Sequence, residues 1–170
     1  AVIGLALALI GDMGKGALAI FAARWLGFLG YNLGLALITS SLFVVLGHNY
    51  SFFFKFKMGG RGIACLMGIL LALDWILFFA WGGVILISII LAQYLLIGGI
   101  NWKKFSELFS VVGSQIIGRT GGMIIALVPL YFLNPQLFPP ILAATFLVSI
   151  KHIERVKAYI RELELPGGKG

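Results

Sequence analysis

Charge is scarce in this sequence, and acid is scarcer than base. Of 170 residues only 11% are charged, and just six of those are Asp or Glu. A soluble domain of this size carries about 25% charged residues. The acids are scattered, which excludes the carboxylate cluster that metal-dependent phosphotransfer needs. Histidine and cysteine are rarer still, at two and one. A lone Cys65 cannot form an intrachain disulfide and reads as small core filler. His48 and His152 stand too far apart in sequence for a Cys/His zinc pattern. Neither a metal nor an organic cofactor is therefore expected. The first residues lack a basic region or an Ala-x-Ala-like cleavage site, so no cleavable signal peptide is evident. They open within an apolar run without methionine, and the expectation is that a further N-terminal piece precedes Ala1.

Apolar residues fill the space that charge leaves. They make up 61% of the chain, and the mean hydropathy is +1.05. A water-soluble fold could not bury this excess, whereas a bilayer lets the outer face of every helix be apolar too. A transmembrane helix takes about 20 residues, so there is room for about five or six spans. The expected fold is all-α: a polytopic bundle of about six membrane helices or half-helices, forming a single integral domain over residues 1–170. The apolar stretches run from Ala1 to Gly27, Leu33 to Leu46, Ile63 to Leu73, Ile76 to Ile97, Met123 to Leu133 and Ile141 to Ile150. Asp74-Trp75 reads as an interfacial turn. Asn134-Pro135 and Pro139-Pro140 read as a short loop, because proline cannot continue a helix. Lys151 to Glu164 reads as a separate amphipathic helix within a tail spanning residues 151–170.

The positions of the basic residues decide what the net charge of +7 means. Lys55, Lys57 and Arg61 follow the second stretch. Lys103, Lys104 and Arg119 follow the fourth, and Lys151, Arg155, Lys157, Arg161 and Lys169 occupy the tail. The alternate connections hold Arg24, then Asp74, then no charge near Asn134. One up-and-down threading puts the base on one side, which the positive-inside rule makes cytoplasmic. That accounts for the charge without nucleic acid. Within a membrane-crossing path the sequence places only Asp12 and Lys15 clearly at depth, three apart on one helical face where they can neutralise each other.

The segment from Gly47 to Ala64 carries the most chemical information. Gly59, Gly60 and Gly62 allow close backbone approach to a ligand. Amides at a helix N-terminus attract anions, and Lys57 and Arg61 add full charges. His48 can take up a proton near neutral pH. Together these suit transfer chemistry on a phosphorylated substrate. The same composition also fits an ordinary basic juxtamembrane loop, with Phe52, Phe53 and Phe54 as interfacial anchors.

The order of residues in Gly47-His48, Phe56-Lys57 and Gly59-Gly60-Arg61-Gly62-Ile63-Ala64 resembles the second motif of the bacterial acyl-phosphate:glycerol-3-phosphate acyltransferase family. That motif reads Gly-His-x-x-[small]-x-Phe-x-x-Phe-Lys-Gly-Gly-Lys-Gly-Val-Ala. Met58 is an insertion, and Arg61 stands for the usual lysine, keeping charge while changing geometry. Upstream, Asp12-Met13-Gly14-Lys15-Gly16-Ala17-Leu18-Ala19 is similar to the family's Asp-x-x-Lys-Gly-Ala-x-Ala helix. Lys15 there is either half of a structural pair or a phosphate contact. A Walker A loop fits Gly11 to Gly16 poorly, since no Ser or Thr follows Lys15 and no strand precedes it. Downstream, Lys151-His152-Ile153-Glu154-Arg155 resembles the terminal Arg-His-Arg-x-Asn-Ile-x-Arg helix, with Arg155 where asparagine is usual. His152 is either a contact within that motif or a solvated, interfacial histidine. Gly118-Arg119-Thr120 matches the third motif faintly, leaving Arg119 as a phosphate ligand or a positive-inside anchor. The connection from Ile97 to Gln115 is longer than the family's usual one. The first motif, a Ser-Gly-Asn-x-Gly-Ala-Thr-Asn loop, has no counterpart and would lie before Ala1.

The resemblance implies a membrane enzyme that moves a fatty acyl group from acyl phosphate to glycerol 3-phosphate, giving lysophosphatidic acid. His48 and Arg61 would be catalytic. Lys57, Gly59, Gly60, Gly62, Arg119 and Lys15 would bind substrate phosphate. Besides these two substrates and membrane lipid, no nucleic acid and no obligate protein partner is implied. The implied location is the cell (inner) membrane, multi-pass, with the active face and C-terminus cytoplasmic. The competing reading is a non-catalytic relative that binds lipid phosphate, or a small transporter.

Overall fold

The computed structural model describes residues 2–50, 60–97 and 115–164, all helix, turn or short connection. Helix α1 spans Val2–Phe28, α2 Leu33–Asn49, α3 Ile63–Leu73, α4 Trp75–Ile97, α5 Ile116–Ile125, α6 Leu127–Leu133 and α7 Phe138–Glu164. Three stretches, Ala6–Phe28, Trp75–Leu95 and Ile116–Leu133, are long and apolar enough to cross a bilayer. Large apolar side chains cover their outer faces, among them Phe28, Phe79 and Phe132. Water would not tolerate such a surface, and lipid does. The chain is an α-helical membrane protein.

Helices α1 and α2 form an antiparallel pair. The Asn32 side chain accepts the Leu35 amide at 2.9 Å and so caps α2. Helix α1 also crosses α3 with almost no space between backbones. A Cβ at Gly16 would fall 2.1 Å from the Cys65 carbonyl oxygen, and one at Gly68 1.9 Å from that of Met13. Helices α4 and α5 meet in the same way. A Cβ at Gly118 would lie 2.8 Å from the Ile89 Cα, and one at Gly122 3.0 Å from the Ile85 Cα. Small residues four apart let helices approach where lipid supplies no hydrophobic driving force. Helix α7 lies across α2 and α5, closing the core around Val45, Leu66, Ile69, Met123, Ile141 and Val148.

The third apolar stretch is a helix with the expected ends. Asp74 leaves the helix in extended geometry, and its carboxylate accepts the Ile76 amide at 2.8 Å to start α4. Arg24 donates to the Leu73 carbonyl at 3.1 Å, so this basic residue holds the α3–α4 corner.

Four boundaries differ from the sequence reading. Helix α2 continues past Leu46 to Asn49, because nothing in Gly47-His48-Asn49 stops a helix that is packed on both sides. The fifth apolar run begins before Met123 and divides at Ala126. Pro129 explains the break, since it cannot donate to Ile125 and its ring crowds that carbonyl. Pro139 and Pro140 lie in the first turn of α7 rather than in a loop. Amides there have no helical partner, so proline loses nothing. Finally, Lys151 to Glu164 is no separate helix but the continuation of α7.

Candidate functional site

The last turn of α2 holds His48 and Asn49, and each faces a different neighbour. The Nδ1 atom of His48 lies 3.5 Å from Asp12 Oδ1 on α1. The same oxygen accepts from Lys15 Nζ at 3.0 Å. The side chains of His48 and Asp12 are 14% and 24% exposed, whereas that of Lys15 is 62% exposed. Asp12 thus stands between an outward lysine and an inward histidine. The sequence reading put Asp12 and Lys15 at depth. Both fall within the apolar Ala6–Phe28 stretch, and the antiparallel pairing of α1 and α2 brings Asp12 against the end of α2.

The other edge of the His48 ring meets Gly60. A Cβ at Gly60 would fall 1.8 Å from His48 Nε2, so the imidazole fills the space a side chain would need. The Gly60 amide donates to the His48 carbonyl at 3.1 Å. Both ends of the glycine-rich segment are thereby tied together at the end of α2. Gly62 follows with φ of 74° as the N-cap of α3, a backbone state that only glycine adopts freely. A Cβ there would also meet Asn49 Oδ1 at 2.8 Å. No side chain caps α3. Its first-turn amides lack helical partners and form a positive end beside the segment.

Asn49 is fully buried and donates through Nδ2 to the Leu147 carbonyl of α7 at 3.2 Å. One turn further along α7, His152 is also fully buried. Of its two readings from sequence, the solvated histidine is therefore excluded. Its Nδ1 is 3.0 Å from the Val148 carbonyl. A carbonyl only accepts, which assigns the proton to Nδ1 and leaves Nε2 as an acceptor. That Nε2 is buried without a protein partner, as are Nε and Nη2 of Arg119 on α5. Arg119 and His152 are close enough to interact electrostatically. Among the described residues, α5 and α7 thus bury these three donors and acceptors without a protein partner.

The structure gathers Lys15, His48, Gly60 and Gly62 at one end of the bundle. Arg119 lies near enough to His152 to interact with it electrostatically. Arg61 is exposed between the two glycines. Lys57 and Gly59 lie outside the described residues, as do Lys55, Met58, the three phenylalanines and most of the Ile97–Gln115 connection. Sequence reasoning did not join Asp12 to His48, since that contact is tertiary and the helical spacing pointed only to Lys15. It also passed over Asn49, for which adjacency to His48 was the available signal. Among the described residues no group of His, Cys, Asp and Glu could hold a metal.

The family model described as glycerol-3-phosphate acyltransferase matches residues 3–162. The chain belongs to the glycerol-3-phosphate acyltransferase family. A relative from Coxiella burnetii bearing that name is 43% identical over 146 residues, covering 86% of this chain and 63% of its own length. One from Dechloromonas aromatica is 37% identical over 112 residues, covering 66% of this chain and 54% of its own. A third, from Albidiferax ferrireducens, is 29% identical over 160 residues, covering 93% of this chain and 64% of its own. The chain spans less than two thirds of the length of these curated relatives. No solved structure matches it. Family membership agrees with the resemblance drawn from the His48–Ala64 segment, and Asp12, Lys15, Arg119 and His152 all fall within the matched range.

Proposed function

We propose that the protein is an acyltransferase of phospholipid synthesis, transferring a fatty acyl group from acyl phosphate to the hydroxyl of glycerol 3-phosphate. The observation that carries this reading is the pinning of His48 between Asp12 and Gly60, at the mouth of a glycine-rich segment that leads into an uncapped helix. Acyl phosphate is a mixed anhydride, so its carbonyl is already activated and phosphate is a good leaving group. The protein has mainly to bring two anions together and stabilise developing charge.

His48 orients the acceptor hydroxyl and takes its proton. The hydroxyl oxygen bonds to the acyl carbon, the carbon–oxygen bond to phosphate breaks, and inorganic phosphate leaves with the electron pair. Lys57 and Arg61, with the amides at the start of α3, hold phosphate, and Gly59, Gly60 and Gly62 let it approach the backbone. The Gly60 amide already serves the His48 carbonyl, so Gly60 contributes room for the His48 ring rather than a donor. Arg119 offers Nε–H and Nη2–H to a second phosphoryl group. Lys15 adds charge at the outer edge through its partly exposed ammonium. The acyl tail lies between helices, open to lipid.

The basic connections and the C-terminal end of α7 face the cytoplasm, and the protein is a multi-pass component of the cell membrane. Acyl phosphate, glycerol 3-phosphate and lipid are its partners, without metal, cofactor, nucleic acid or obligate protein. The purified protein in lipid nanodiscs, given acyl phosphate and labelled glycerol 3-phosphate, should form lysophosphatidate and inorganic phosphate in equal amounts. Phosphate binding without product would instead favour the non-catalytic relative.

A further inference from the structure

Asp12 contacts two residues at once, and only one of those contacts is explained by neutralisation. Lys15, one turn along the same helix, already provides the counter-charge at 3.0 Å. Helix α1 is nonetheless held so that the same carboxylate oxygen also faces His48 Nδ1 on α2. That separation of 3.5 Å exceeds the usual hydrogen-bond range of about 2.7–3.2 Å. Hydrogen bonds of catalytic groups are often long in unliganded structures and tighten when substrate binds. The register of α1 is fixed by two backbone contacts with α3, that of Gly16 with Cys65 and that of Met13 with Gly68. The ring itself cannot turn over freely, because Gly60 abuts its Nε2 edge.

We propose that Asp12 is the positioning residue of His48. Its carboxylate accepts the Nδ1 proton, so that the neutral ring keeps Nε2 unprotonated on the Gly60 side, where the glycine-rich segment begins. A carboxylate behind an imidazole selects the tautomer and stabilises the imidazolium that forms as the proton arrives. Lys15 tethers Asp12 from the outer side. The proposal rests on the reading of His48 as the base.

Because the chain has only two histidines, nitrogen-15 labelling of histidine separates the parts of this claim. In wild type, His48 should show a protonated Nδ1 and an unprotonated Nε2, the assignment being made with His48→Ala. In Asp12→Ala that preference should be lost, while His152 keeps its own signal. A wild-type His48 protonated at Nε2, or a tautomer unmoved in Asp12→Ala, overturns the proposal whatever the activity. In the acyltransfer assay, Asp12→Ala should lower kcat by roughly 10²-fold, the low end of what a positioned base contributes. KM for glycerol 3-phosphate should change less than about threefold, and Asp12→Glu should recover part of the rate. The double variant Asp12→Ala/His48→Ala should be no slower than His48→Ala alone, because two residues acting as one unit are not additive. Additive losses assign Asp12 a structural role and sink the idea. Wild-type turnover in His48→Ala overturns the underlying reading of the base, a result distinct from a failure confined to Asp12.

Discussion

Asn49 Nδ2 donates to the Leu147 carbonyl at 3.2 Å, fastening the end of α2 to the middle of α7. It sets the last turn of α2 beside the helix that carries His152, and the N-cap of α3 lies there too, where a Cβ at Gly62 would fall 3.0 Å from Val148 Cγ2. Interhelical hydrogen bonds in membranes contribute about 1 kcal/mol. Asn49→Leu should therefore lower stability by about that amount in reversible unfolding from mixed micelles, and should lower activity by more than the fraction unfolded explains. Unchanged activity would mean that this tie does not hold the site.

The α1–α3 crossing gives a sharper structural test. Gly16→Val and Gly68→Val would each drive a side chain into backbone at 2.1 and 1.9 Å. Overpacking costs about 1–3 kcal/mol where the core can give, and backbone gives less than side chains do. Gly82, by contrast, has nothing within 4 Å of a Cβ. Gly82→Ala should be neutral, or stabilising by up to about 1 kcal/mol through helix propensity. Thermal midpoints in one detergent compare all three.

Gly60 and Gly62 should fail differently. At Gly60 an added methyl meets the His48 ring, so Gly60→Ala should displace the imidazole and cut the acyltransfer rate at least tenfold with little change in melting. At Gly62 the positive φ itself is strained by any side chain, so Gly62→Ala should lower the melting point as well. Equal melting losses in the two variants would contradict the assigned roles.

Arg119 is informative because its effects on stability and binding should oppose each other. Its Nε and Nη2 are buried without protein partners, a cost in the unliganded protein. Arg119→Met should leave the thermal midpoint unchanged or raise it, while raising KM for a phosphorylated substrate about tenfold or more. Lower stability with unaltered KM would make Arg119 a structural residue.

Much of the architecture was legible because apolar length and charge placement answer to the bilayer directly. The ends of α3 at Ile63 and Leu73, and the corner at Asp74, followed from composition alone. Local rules misled where tertiary packing decides. His48 and Asn49 look like loop residues but complete α2, since Asn49 Nδ2 finds its acceptor on α7. Pro139-Pro140 marks a helix start as readily as a loop, and Lys151 changes the polarity of α7 without ending it. For the candidate site, His48 and its glycines stand out by order and spacing. Asp12 behind His48, and His152 beside Arg119, arise from helices far apart in sequence, which no local spacing encodes.

The central claim is that His48, set between Asp12 and Gly60, takes the acceptor proton during acyl transfer. It is tested most directly by single-turnover formation of lysophosphatidate from acyl phosphate and glycerol 3-phosphate, comparing wild type with His48→Ala at equal substrate occupancy. The rate in His48→Ala should be roughly 10²–10⁴-fold lower, with phosphate binding and melting retained. Equal rates in the two proteins would contradict it.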